Sequence, residues 1–201
     1  MADFKKILSD SFDSIIKPVV VLLAICIIIP FALAGTNAIT EKKISELALS
    51  EQNKSMALLF PDCSFSKEQT EDFEYYTAKA NGEAKGYIFT NTAKGYGGDI
   101  SVMTAINSDG TIRAVKILDV SNETPGLGQN VTKESFYGQF SGMNGEVTIK
   151  KTNADNSQNE LSPVTGATIT STAVKSAVNE SISMFGKITA SGEQEDLADE
   201  K

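Results

Sequence analysis

The run Thr165-Gly166-Ala167-Thr168-Ile169-Thr170-Ser171 joins a polar loop, Asn153 to Leu161, to a stretch with helical spacing at Val174, Val178, Ile182 and Phe185. The spacing predicts a helix from Thr170 to Ile188, with Thr168 at its entrance beside the flexible Gly166. Amides in the first turn of a helix lack intrahelical partners, and the dipole adds partial positive charge there. A phosphate group can be held at such a place without any basic side chain. The plainer reading is that Thr168 or Thr170 caps the helix.

Two glycine-rich turns could complete a site. Lys94-Gly95-Tyr96-Gly97-Gly98-Asp99 has three glycines in four positions, which permits positive φ and close approach of backbone to a flat ligand. Its alternative is an ordinary turn between strands. Neither a P-loop nor a dinucleotide-binding glycine pattern is present. Glu123-Thr124-Pro125-Gly126-Leu127-Gly128 is a second turn, stiffened by Pro125 and displaying Leu127 at its tip. An exposed Leu there suits an apolar ring face; the alternative is a Leu folded into the core.

Composition narrows the chemistry. The 201 residues contain two cysteines and no histidine. Iron–sulfur clusters usually take four Cys ligands, and haem or catalytic zinc usually takes His. Ser-His-Asp and Cys-His catalysis are excluded for lack of His. Redox chemistry would therefore need an organic cofactor. The net charge is −8, and the first 40 residues balance three Lys against three acids, so the excess lies beyond them. That acidity argues against a nucleic-acid partner and against binding anionic lipid head groups.

These residues need a scaffold, and the pattern predicts an α+β domain. Phe73 to Ala78 and Lys85 to Thr90 read as a hairpin through Asn81-Gly82, and Asp99 to Ile106 pairs with Thr111 to Leu118 through Ser108-Asp109-Gly110. A helix is expected from Thr40, as N-cap, to Phe60, stopped by Pro61; a second from Thr132, again as cap, to Phe140; and a short strand at Val147–Ile149. Strands in the middle with helices at either end suggest a mostly antiparallel sheet.

Residues 18–40 carry no charge, and Val19 to Ile29 is almost purely aliphatic. About 20 such residues span a bilayer core. The expected organisation is an N-terminal cytoplasmic segment at 1–17, a transmembrane helix at 18–40, an extracytoplasmic domain at 41–190 and an acidic, disordered tail at 191–201. Ala32-Leu33-Ala34 resembles a signal-peptide cleavage site, but the long apolar block and the charged segment before it favour a retained anchor. Cys26 lies inside this span and Cys63 beyond it, so the two are not expected to pair.

Taken in order, the glycine–tyrosine turn, the Glu-Thr-Pro-Gly-Leu-Gly loop and the Thr-Gly-Ala-Thr run resemble the FMN-binding domains of two related families, the G subunits of Rnf-type complexes and the C subunits of sodium-pumping quinone reductases. The likeness extends from the anchor to about Lys187, and the length is more like that of the Rnf G subunits. It departs from the family pattern at Ser162, where an acid is common six positions before the modified Thr, and at Ser121, where His is common. The resemblance implies FMN joined through its phosphate to Thr168 by a dedicated flavin transferase. Gly166, Ala167, Ile169 and Thr170, with Thr165, would cradle the phosphate. Glu123, Thr124, Gly126, Leu127, Gly128, Tyr96 and Gly97 would form the ring pocket. It also implies an electron relay in the cytoplasmic membrane, partnered by membrane and iron–sulfur subunits that couple ferredoxin and NAD to sodium or proton movement. Other readings are a subunit of quinone-reductase type, a membrane-anchored non-redox module, or a stand-alone flavin reductase.

Overall fold

The computed structural model describes residues 17–199, without the side chains of residues 38, 42, 45 and 191–199. Most of the segment at 1–17 and the end of the tail at 191–201 lie outside the described residues. The chain divides into two compact units, one ending at Glu51 and the other beginning at Gln52.

The first unit is helical. Helix α1, Lys17–Leu59, is the one described helix long and apolar enough to cross a membrane. Its aliphatic side chains from Val19 to Ile29 are largely exposed. The expected break at Thr40 is absent. Thr40 is no N-cap: its hydroxyl donates to Thr36 O at 2.9 Å, as that of Thr36 donates to Ala32 O at 2.9 Å. Hydroxyls bonded back by one turn leave a helix continuous, and apolar helices tolerate an interior proline such as Pro30. Helix α1 stops just before Phe60-Pro61, because a residue preceding proline is pushed out of the α region.

The second unit is mixed α+β. Strands β1 (Ser64–Gln69), β2 (Glu74–Ala80), β3 (Glu83–Lys94), β4 (Asp99–Asn107) and β5 (Ile112–Asp119) form an antiparallel meander in sequence order. The β2–β3 turn puts Asn81 and Gly82 at φ 55° and 85°, the conformation that an Asn-Gly hairpin supplies. Strand β1 has no sequence signal, since Phe65 is its only large apolar residue and it lies at the sheet edge. Each face of the sheet is covered. Met56 and Phe60 pack with Ala78, Ile88, Met103 and Ala105 on one side. The C-terminal helix α3, Thr168–Asp199, packs on the other, against Ile100, Val102, Val115 and Phe89.

Between β5 and α3 the chain is irregular. The expected helix from Thr132 to Phe140 is instead a 3-10 turn (Gly128–Thr132), a single turn α2 (Glu134–Tyr137) and another 3-10 turn (Gly138–Phe140). Thr132 does not cap it; its hydroxyl donates to Gln129 O. Val131, Phe136 and Phe140 are the buried anchors, a spacing that no continuous helix places on one stripe. Short strands β6 (Thr148–Ile149) and β7 (Glu160–Leu161) pair in parallel.

Helix α3, Thr168–Asp199, starts two residues earlier than the spacing suggests and continues past Ser191, where a tail is expected. Val174 and Val178 are fully buried, as the apolar face requires. Two polar contacts hold α3 in place: the side chains of Asn91 and Ser181 meet at 2.9 Å, and Asn179 exchanges hydrogen bonds with both backbone groups of Val147. These bonds fix the middle of the helix against β3 and the irregular segment.

Candidate functional site

The site lies where the two glycine turns meet the first turn of α3. The Glu123 side chain, 2% exposed, joins all three pieces. Its Oε1 accepts from the Gly97 amide at 3.0 Å and its Oε2 from the Thr170 hydroxyl at 2.8 Å. Thr170 is therefore not a helix cap. Its hydroxyl is spent on a carboxylate 47 positions earlier in the chain.

The glycines in the first turn serve packing rather than unusual dihedrals. None of Gly95, Gly97 and Gly98 has positive φ, contrary to the freedom expected of them. A Cβ on Gly97 would collide with the Asn122 carbonyl, one on Gly95 with the Glu123 carboxylate, and one on Gly98 with the Asn122 side chain at 2.6 Å. The turn, closed by Gly95 N–H to Gly98 O at 2.8 Å, thus lies directly on the Asn122–Glu123 backbone. Its close approach is to protein. Gly128 behaves likewise, since a Cβ there would meet Glu123 and Thr170.

The second turn does need a left-handed residue. Pro125 is followed by Gly126 at φ 74°, and Leu127 N–H donates to Thr124 O at 3.2 Å, a type II arrangement. Asn130 Nδ2 braces it by donating to Gly126 O at 2.7 Å. Leu127 is 42% exposed and leans over Gly166, where an added Cβ would approach its Cδ1 to 2.9 Å. Gly166 itself has φ 76°, so both its conformation and its neighbour select glycine.

At the start of α3, Ser171 organises the entry. Its Oγ accepts from Val164 N–H at 3.0 Å and donates to Ala167 O at 2.9 Å. The first intrahelical bond is Ser171 N–H to Ala167 O. The amides of Thr168, Ile169 and Thr170 precede it and have no carbonyl one turn behind within the helix. Thr168 is exposed, and its carbonyl accepts from Thr172. Sequence reasoning misses Ser171, because a hydroxyl in a Thr/Ser-rich run gives no sign of which way it faces.

Tyr96, Glu123, Thr124, Leu127, Gly128, Gly166, Ala167, Thr168, Ile169 and Thr170 line one cavity of about 520 Å³. All ten belong to the three motifs. Of the other residues singled out, Gly126 shapes the second turn and Gly97 hydrogen-bonds to Glu123. Thr165 faces a neighbouring polar cavity of about 380 Å³ beside Lys133 and Gln139. Thr168 also borders a smaller cavity, about 330 Å³, with Ala93, Lys94, Thr172 and Ser176. Lys94, which the sequence offers only as the start of the glycine turn, thereby joins the site.

The larger cavity has a size usual for a small-molecule site. It is open toward exposed Tyr96 and Ile169, carries apolar side chains on its rim and ends at the first turn of α3, where helix amides lack intrahelical partners. An elongated ligand with a flat apolar part and an anionic end suits that distribution.

Residues 95–183 match the FMN-binding domain family. Over 189 residues the chain is 32% identical to the G subunit of the Na⁺-translocating ferredoxin:NAD⁺ oxidoreductase complex of Acetobacterium woodii, covering 84% of this chain and 90% of the relative. The chain belongs to the G-subunit family of ion-translocating oxidoreductase complexes. It carries an FMN-binding domain. The G subunit of the proton-translocating ferredoxin:NAD⁺ oxidoreductase complex of Clostridium ljungdahlii is also 32% identical, over 82% of this chain and 88% of the relative. Among solved structures, the C subunit of the Na⁺-translocating NADH-quinone reductase from Parabacteroides distasonis is 26% identical with a TM-score of 0.50. That match covers 58% of this chain and 63%, less than two thirds, of the other. An α+β domain with an N-terminal helix fit to cross a membrane accords with this family, and the make-up is that of a membrane-anchored protein.

Proposed function

We propose that this chain is the electron-relay subunit of a membrane-bound ferredoxin:NAD oxidoreductase complex, with FMN esterified through its phosphate to Thr168. One observation carries the reading: the exposed Thr168 hydroxyl stands at the start of α3, in the wall of a cavity built wholly from the three motifs. The residues present fit the cofactor. Helix amides and the Gly166–Ala167 backbone suit the phosphate, and Leu127, Tyr96 and Ile169 suit the ring. FMN supplies the redox couple; the protein sets its position, solvent exposure and electrostatic surroundings. Gly166 makes room for Leu127 beside the start of α3, and Ser171 holds the preceding loop. Partners on this reading are the membrane and iron–sulfur subunits of the complex and the flavin transferase that matures it. Mass spectrometry of the digested protein should find FMN less one water on the peptide containing Thr168. A peptide of unmodified mass, from a host with active flavin transferase, would leave only a non-covalent binding module.

The same reading sets the topology. Residues 18–40 form the span, and residues 41–190 the domain outside the cytoplasm, because a single N-terminal span before a large polar domain commonly leaves the N-terminus inside. A reporter fused after Lys151 should be active only if it is an export-dependent one. A mature N-terminus near Gly35 would instead establish a cleaved signal peptide.

Leu127 separates ring contact from phosphate contact. Burying a Leu contributes roughly 1.5–3 kcal/mol, and a two-electron couple moves by about 30 mV per 1.4 kcal/mol of differential stabilisation. Leu127→Ala should keep stoichiometric covalent flavin and alter its visible spectrum, its potential or both. With neither changed, the ring would belong in the smaller cavity beside Lys94.

A further inference from the structure

Glu123 stands out among the buried groups of the described chain. Both carboxylate oxygens accept hydrogen bonds, from Gly97 N–H and from Thr170 Oγ–H, and both donors are neutral. No described ion pair includes it. The elements packed against it offer little charge. Lys94 and Asp99, at the two ends of the glycine turn, are not buried, and α3 carries no charged side chain before Lys175. The positive end of the α3 dipole is the main compensation for a buried anion here. Gly95 and Gly128 leave the room that the carboxylate fills, since a Cβ on either would collide with one of its oxygens.

We propose that Glu123 is a positioning residue with two effects: it clasps both glycine turns onto the first turn of α3, and it places a buried negative charge, with no ion-pair partner among the described residues, in the wall of the cavity, which holds the flavin potential low. The first effect follows from the hydrogen bonds. Without Glu123, the Gly95–Gly98 turn and Thr170 share no direct contact through this carboxylate, and the cavity wall opens between them. The second follows from burial: water is excluded, so the charge opposes added electron density on a nearby ring more strongly than a surface acid would. This second effect rests on the proposed placement of the flavin in the larger cavity.

The two effects separate by substitution. In Glu123→Gln the amide oxygen can still accept from Gly97, while the amide NH₂ donates to a Thr170 hydroxyl turned round as acceptor. The clasp persists and the charge is gone. Glu123→Ala removes both. The first measurement uses the full-length Thr168→Ala chain, which needs no flavin: hydrogen exchange of the Gly97 amide should be on the order of tenfold faster with Glu123→Ala and nearly unchanged with Glu123→Gln. The second uses the flavin-loaded full-length protein: Glu123→Gln should retain covalent flavin and shift its midpoint potential to more positive values. Unaltered Gly97 exchange in the Ala variant would overturn the clasp, and an unaltered potential in a flavin-loaded Gln variant would overturn the charge effect. Should the Ala variant not fold, protection of Gly97 in the Gln variant decides the clasp, loss of protection counting against it. Wild-type protein lacking flavin on Thr168 would refute the functional reading and leave the exchange result standing.

Discussion

Thr168→Ala should yield a folded protein with no covalent flavin. The Thr168 side chain is exposed and makes no hydrogen bond among the described residues; only its carbonyl is engaged, by Thr172. Replacing it with alanine, the best helix former, at an exposed helical position should change stability by no more than about 0.5 kcal/mol. Denatured wild-type protein should keep flavin fluorescence, and the variant should lose it entirely, with a melting temperature within a few degrees of wild type. Thr168→Ser should restore attachment, because the hydroxyl returns at the same place. The neighbouring hydroxyls cannot readily substitute. Thr170 is buried against Glu123, Ser171 is buried with both hydrogen bonds in use, and Thr165 faces another cavity. Flavin recovered on Thr170 or Ser171 in the wild-type protein would refute the assignment to Thr168 while leaving the family intact.

Gly97→Ala should be the most damaging small substitution at the site. The added methyl would enter the space of the Asn122 carbonyl, which is backbone and cannot rotate away. Overpacking of this kind typically costs about 1–3 kcal/mol, and displacement of the turn would also stretch the bond from Gly97 N–H to Glu123. For a domain of this size, each kcal/mol corresponds to roughly 2–4 °C in melting temperature. The variant should therefore melt roughly 2–12 °C below wild type. Its attached flavin should also fluoresce more brightly as the pocket loosens. Gly186→Ala is the control: a helical glycine with nothing within 4 Å of its Cβ position. That change should stabilise by roughly 0.5–1 kcal/mol. If Gly97→Ala melted with wild type, the turn would not pack on Asn122 and the cavity wall would need to be redrawn.

Elements whose signals are local are legible in the linear order of residues. Alternation and turn chemistry locate β2 to β5, since Asn81-Gly82 and Asp109-Gly110 supply the backbone that their hairpins require. Strand β1 escapes such a reading because an edge strand needs few apolar residues. Thr40 and Thr132 pass for caps for the converse reason: a Thr that caps and a Thr that bonds back to a preceding carbonyl look identical in sequence. The glycine turn at 95–98 is visibly unusual, yet local reasoning gives it the wrong physical cause. Positive φ is a property of one residue, whereas the obstacle at Gly97 is a backbone 25 positions away.

From the amino acids alone came the α+β class, the apolar segment able to span a bilayer, the lack of histidine that leaves redox chemistry to an organic cofactor, and the three motifs. Such features depend on composition or on neighbours within a few positions, so the linear order already contains them. The tertiary structure decided how the motifs combine. It gathered ten of their residues around one cavity, turned the Thr170 and Ser171 hydroxyls inward and left that of Thr168 outward. It also made Glu123 the link between a turn 26 positions before it and a helix 47 positions after. Side-chain direction at a helix start depends on which face the helix buries, and that is set by the packing of α3 on the sheet.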